Sequence, residues 1–317
     1  MSNDNELSEE EYLKRHLGAV DSQNQNSNPF LSDIPNVAQP KVVESTKASD
    51  LQYFNFNVSD LPCGEFYPTG TIFMVRPAKV KEIQAYSMVD DNNFYDIVEK
   101  MNDMLQSCVR IKYQDGRIGT YLDIKDQDRL YLIFLIRELT FQQGNTLVIP
   151  GKCDVCGTET NIEFLRQNFL FHPLDEKLDK YFSLSTRTYH FSTVNGRNFE
   201  LTPPNIGLQK SFTDYILKEN NEKRTPNLSF LKIIPFTLIG KNSITYEGIK
   251  SKLKEFEDMD DISFQFLNAA VGKMTIGIKE LKKNCQCGAE VHTDMQFPNG
   301  ASSIFVIHDA FEAYIKE

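Results

Sequence analysis

The chain of 317 residues contains no tryptophan and only five histidines, at positions 16, 172, 190, 292 and 308. Their scatter leaves no H-E-x-x-H pair, so a helix-borne catalytic zinc site is not encoded. No G-x-x-x-x-G-K-[ST] loop is present; Gly240-Lys241-Asn242 lacks both the upstream glycine and the hydroxyl residue. G-x-G-x-x-G and G-x-S-x-G are also missing, which removes the dinucleotide and serine-hydrolase fingerprints. Long apolar runs are lacking too. The most apolar stretch is 130–136, far below the roughly 18 to 20 residues needed to cross a bilayer. The first fifteen residues are acidic and polar with no apolar signal core, so a reducing compartment is expected. In that setting the Asn-x-Ser sequences at Asn57 and Asn227 carry no glycosylation meaning. Positive charge is scarce as well: 34 Lys and Arg face 44 Asp and Glu, a net charge of −10. That balance argues against broad contact with a phosphate backbone, which needs a basic face.

What is present is an ordinary globular composition, 40% hydrophobic and 25% charged, in a chain long enough for two or three folding units. Residues 1–50 read as a flexible N-terminal arm, because they are rich in Ser, Asn, Gln and Pro and bury too little to offset ordering entropy. A short amphipathic helix over 7–17 and the triplet Pro29-Phe30-Leu31 are its candidate docking elements. Residues 51–145 read as a small α+β domain. Strands are expected around 53–56 and 72–75, and helices over 80–88 and 93–109, where Ile97, Met101 and Leu105 recur at spacing four. A core helix is expected over 126–139 with Asp126 as its N-cap. From 147 the pattern turns to short strands, at 147–149, 160–165, 188–193 and 198–202, the last two joined by an Asn195-Gly196 turn. Residues 205–274 read as a helical insertion with helices over 208–219, 230–238, 246–256 and 261–273. Strand character returns at 275–278 and 289–297, and a helix is expected over 301–315. The fold class is α+β: an N-terminal α+β domain, then a discontinuous zinc-ribbon-like β module over 146–204 and 275–317, interrupted by the helical insertion.

The constellation that carries chemistry is Cys153-x-x-Cys156-Gly157 and Cys285-x-Cys287-Gly288. A structural zinc needs four soft ligands at tetrahedral corners, each thiolate at about 2.3 Å. Two closely spaced cysteines on one turn supply two corners, and a glycine after each pair allows the left-handed backbone that closes a knuckle. Both pairs continue as Cys-Gly-x-Glu into a strand-like run, so Cys153, Cys156, Cys285 and Cys287 are the expected metal ligands. The second pair is one residue shorter than the usual spacing. The two pairs are separated by 128 residues, 157 through 284; such an insertion is tolerable because closure cost grows only logarithmically with length. Metal-free knuckles, a redox Cys-x-x-Cys and His292 in place of one thiolate are the alternatives. The redox reading lacks a thioredoxin-like context, and His292 falls inside the following strand. Four thiolates leave no position for a catalytic water. Cys63 and Cys108 stand alone and read as plain thiols. The acidic runs Asp90-Asp91 and 258–261 read as solvated caps. Nothing in the sequence supports an enzyme.

Several short segments together are similar to a known family. Leu61-Pro62-x-Gly64-x-Phe66-Tyr67-Pro68, Val75-Arg76-Pro77, Val80-Lys81-Glu82, Asp128-Arg129-Leu130-Tyr131-Leu132, Ile136-Arg137 and Cys153-x-x-Cys156-Gly157 resemble the baseplate hub assembly proteins of T4-like contractile-tailed phages, over roughly residues 55–300. Cys63, where a small polar residue is expected, and the short Cys285-x-Cys287 pair depart from that pattern. The resemblance implies a non-enzymatic virion or assembly component with a structural zinc. Its partners would be other baseplate or tail hub proteins, with no membrane and no small-molecule substrate. It would act in the tail baseplate or in host cytoplasm during assembly. The alternative class is a cytosolic zinc-ribbon adaptor binding nucleic acid or polymerase. Lys152, Lys282 and Lys283 favour the adaptor, and Asp154, Glu159, Glu163 and Glu290 offset them.

Overall fold

The computed structural model describes residues 52–141, 147–172, 175–294, 297 and 300–305. The arm expected over 1–50, with its helix over 7–17, lies outside these residues, as do positions 306–315 of the expected C-terminal helix. The architecture is α+β, with antiparallel sheets throughout.

Strands β1 (Phe54–Asn57), β2 (Ile72–Val75), β3 (Val109–Lys112) and β4 (Ile118–Gly119) form one sheet in that order. Their register places Phe56, Phe73, Ile111 and Gly119 in one cross-strand row, and Phe73 and Ile111 are fully buried. Helix α1 (Val80–Ser87) and helix α2 (Phe94–Cys108) connect β2 to β3. Asn93 starts α2 by accepting the N–H groups of Tyr95 and Asp96, and Met101, Leu105 and Cys108 form its buried stripe.

The helix expected over 126–139 starts later, and Asp126 is not its cap. Asp126–Asp128 form a 3₁₀ turn, and α3 runs Arg129–Thr140. Asp126 is held by Arg129 at 2.5 Å. Asp128 is buried and accepts the Cys63 N–H at 2.8 Å and the Tyr67 hydroxyl at 2.7 Å. These tertiary hydrogen bonds displace the local capping arrangement. Every residue of α3 from Tyr131 to Arg137 is buried, as expected for a helix apolar nearly all round.

Strands β5 (Val148–Lys152) and β6 (Glu159–Glu163) pair as a hairpin. β7 (Phe169–Phe171) follows, then β8 (Phe182–Ser183), β9 (Thr188–Ser192) and β10 (Asn198–Leu201), which form a sheet in the order β10-β9-β8. Gly196 takes φ +82° in the β9–β10 turn. Four helices come next: α4 (Ile206–Asn221), α5 (Leu228–Thr237), α6 (Tyr246–Glu257) and α7 (Asp261–Lys273). The side chains of Asn205, Asn227, Thr245 and Asp260 cap them in turn. β11 (Ile278–Asn284) then pairs with β12 (Glu290–Thr293) and with β7. The strand expected at 275–278 therefore lies further on and runs directly into the second cysteine loop.

These segments share one hydrophobic core. Phe134 of α3 packs against Phe164 and Phe169 with ring centroids 4.8 and 5.4 Å away, and Phe297 stacks on Phe164 at 5.4 Å. Residues 301–305 form a 3₁₀ turn that docks on the N-terminal helices. There Arg137 Nε donates to Ile304 O at 2.6 Å, and Phe305 meets Tyr86 at 4.9 Å. Among the described residues no helix is long and apolar enough to cross a membrane.

Candidate metal centre

The β5–β6 and β11–β12 hairpins bring their tips together. The first tip, residues 153–158, carries Cys153 and Cys156; the second, residues 285–289, carries Cys285 and Cys287. Both loops close the same way. The Cys153 N–H donates to Thr158 O at 3.0 Å and the Gly157 N–H to Cys153 O at 2.8 Å. In the second loop the Cys285 N–H donates to Ala289 O at 2.8 Å and the Gly288 N–H to Cys285 O at 2.9 Å. Each bond of the second loop spans one residue fewer. The Cys-x-Cys spacing is thus the signature of a tighter turn that presents the same two sulfurs. Gly157 and Gly288 have φ of +69° and +88°, the left-handed conformation expected from the Cys-Gly sequence.

The four sulfurs lie within 4.8 Å of one another. Cys153 Sγ is 3.7 Å from Cys287 Sγ, and Cys156 Sγ is 3.6 Å from Cys285 Sγ, so each close pair joins one loop to the other. A disulfide requires about 2.05 Å, and all four cysteines are free. A regular tetrahedron of thiolates around a zinc-sized ion has sulfur–sulfur edges of roughly 3.8 Å, given a metal–sulfur bond of about 2.3 Å. The two contacts fit that edge, so the donor set and its spacing can hold a metal ion. Cys153 and Cys285 are buried, whereas Cys156 and Cys287 face outward.

The loops bias which thiol ionises first. The Thr158 hydroxyl, 3.2 Å from Cys156 Sγ, and its backbone bring Cys156 down to about 6. The Ala289 N–H favours ionisation of Cys287, but the surrounding thiols outweigh it and push Cys287 up to about 11. Metal binding to four such cysteines would release the thiol protons. Thr158 went unnoticed in the sequence, although the Cys-Gly-x-Glu repeat marks its position; the matching residue after Gly288 is Ala289, which has no hydroxyl.

His292 is not part of the cluster. It sits on β12 with its ring nitrogens 3.3 Å from Glu280 and 3.5 Å from Glu290. Cys63 and Cys108 are free, buried and remote in role: burial, with Asp128 and Glu82 nearby, pushes both thiols up, Cys108 to about 12. Asp260 acts as a local cap on the Ser263 N–H, whereas Asp91 accepts the N–H of Ser302, 211 residues away in the chain. Four sulfur ligands around one ion leave no coordination position for a reacting water, so the chemistry this arrangement offers is cross-linking.

No known protein family matches the chain, nor does any curated protein or solved structure.

Proposed function

We propose that the four thiolates hold one structural Zn²⁺ as a zinc ribbon, and that the protein is a non-enzymatic structural or assembly component of a contractile phage tail baseplate hub. The observation that carries the first part is the closed four-sulfur cluster, which clamps together two hairpins 128 residues apart in the chain. Soft thiolates at tetrahedral spacing select zinc over hard cations. The residue pattern running from Leu61 to Cys156, with its likeness to baseplate hub assembly proteins, supports the second part. The protein would work by binding other hub proteins through folded surfaces, in the assembled tail or in host cytoplasm during assembly, without turning over a substrate.

The lysines near the knuckles weaken the nucleic-acid adaptor as a competing reading. Lys282 pairs with Glu290 at 3.3 Å, and Lys283 donates to Asn161 O at 2.9 Å, so neither offers a free basic stripe. Three measurements test the proposal together. Elemental analysis of freshly purified protein should find one zinc per chain. Mass spectrometry should find the protein in purified virions or in isolated hub-assembly intermediates. Duplex DNA should not be retained. Absence from both particles and intermediates, or DNA binding with a salt slope of several neutralised phosphates, would overturn the baseplate reading.

A further inference from the structure

Lys125 lies where the N-terminal sheet domain, the β10 end and the helical segment meet. Its backbone bridges to Asn205, and its N–H donates to the Tyr67 hydroxyl at 2.7 Å. The ammonium donates to Pro203 O at 2.8 Å and to Thr202 Oγ1 at 3.2 Å. An ammonium has three donors, and among the described residues two of them meet these acceptors. The buried carboxylate of Asp128 contributes to the field at Lys125 but spends its oxygens on Cys63 N–H and Tyr67 OH. Burial pulls Lys125 down to about 8 and pushes Asp128 up to about 7, as expected where a cation lacks a contact counter-charge.

Lys125 lines a cleft of about 220 Å³. Arg187 and Lys241 also line it, whereas Asp123 is the one acidic residue in the lining. Asp123 is already engaged: it accepts the Thr120 N–H at 2.8 Å and the Asn242 amide. Arg187 is a non-glycine residue at φ +59°, held in place by its guanidinium on Thr69 Oγ1 at 2.7 Å. A second contact, to Glu65 O at 3.5 Å, still leaves guanidinium donors free. Thr186 and Thr188 also line it, with their hydroxyls bonded to each other at 2.7 Å and Thr188 donating to Glu200 at 2.7 Å. Three cations against one occupied carboxylate is the reverse of the chain's net charge of −10.

We propose that this cleft is a binding site for a small ligand bearing an oxyanion, a phosphate or carboxylate group that accepts hydrogen bonds from the Lys125 ammonium and the Arg187 guanidinium. The site is separate from the metal centre, and binding would add the counter-charge that Lys125 lacks. The full chain is titrated with inorganic phosphate and with acetate, each against sodium chloride at matched ionic strength, and followed by calorimetry and thermal melting. Acetylation of Lys125 by acetic anhydride at pH 8, mapped by mass spectrometry, reads the site directly. Saturable stabilisation with slower acetylation of Lys125 is expected from at least one probe. Stronger binding of phosphate assigns a phosphoryl ligand, and stronger binding of acetate a carboxylate. Lys125→Met and Arg187→Gln should each weaken it about tenfold, the scale of one charge-assisted hydrogen bond. Arg187→Gln keeps the test valid if Lys125→Met misfolds. Stabilisation that sodium chloride reproduces, or that is unchanged in Arg187→Gln, overturns the proposal.

Discussion

Glu82 ties three stretches of chain together. Its carboxylate receives Arg76 through two bonds, at 2.7 and 2.9 Å, and the Lys79 N–H at 2.7 Å, while Arg76 also donates to Ser107 O at 2.9 Å. Partial burial pulls Glu82 upward, but Arg76 and the Lys79 N–H overcome it and hold Glu82 at about 2, against 4.5 for a free glutamate. A carboxylate depressed in the folded state contributes stability above the unfolded value and loses it as pH falls through the folded one. The contribution, about 2 kcal/mol after allowing for its partial exposure, should therefore fade between pH 4.5 and about 2. Urea denaturation of wild type and Glu82→Gln should differ at pH 6 and converge near pH 2. Asp128 acts at the same scale. Asp128→Ala leaves the Tyr67 hydroxyl and the Cys63 N–H without their acceptor, at a cost of about 2 to 4 kcal/mol. In the first cysteine loop an added Cβ at Gly157 meets nothing within 4 Å, so Gly157→Ala carries only the left-handed backbone cost, about 1 to 2 kcal/mol. Chemical denaturation of the two variants measures both costs.

The two cysteine hairpins depend on each other in two ways. The sulfur cluster joins their tips, and Gly151 of β5 lets their bodies approach: a Cβ there would sit 3.0 Å from Val291 Cγ1 and 3.1 Å from Ile162 Cδ1. Gly151→Val should push the hairpins apart and destabilise the protein by about 1 to 3 kcal/mol. It should also weaken metal retention, measured by competition with a chromogenic chelator. Removal of the proposed metal acts on the same elements. Hydrogen exchange after chelation should lose protection over β5, β6, β11 and β12, while α4 to α7, with their own caps and core residues, keep theirs. Equal loss in both groups would show that the metal supports the whole fold rather than the hairpins.

Across the molecule the described residues share one core, and α3 is its axis. The cysteine hairpins and β7 reach α3 through Phe164, Phe169 and Phe297. Residues 301–305 reach it through Ile304 and Phe305, both fully buried. Phe305→Ala removes a ring that contacts Tyr86 and Phe141 and should cost about 3 to 5 kcal/mol. Its effect should appear in the same unfolding transition as that of a substitution in the first sheet, such as Phe73→Ala. Calorimetry that resolves two transitions, with only one responding to Phe305→Ala, would show that the segments fold independently despite the shared core.

The α+β class, the seven helices among the described residues and the two Cys-Gly loops were legible in the sequence, because each rests on local rules. Helical periodicity and Asn, Thr or Asp caps act within a turn, and a Cys-Gly pair shapes its own loop. The strand β11 was misplaced because its sequence, Ile278 to Asn284, is dominated by lysine, and Leu281 is its one fully buried side chain. Its pairing with β7 and β12 is a long-range property that no local alternation announces. Asp126 looked like a cap, but the buried bonds from Asp128 to Cys63 and Tyr67, 65 and 61 residues away, decide that turn. Composition likewise showed only an acidic chain. Folding is what gathers Lys125, Arg187 and Lys241 into one cleft, since charge density at a site depends on which distant side chains share it.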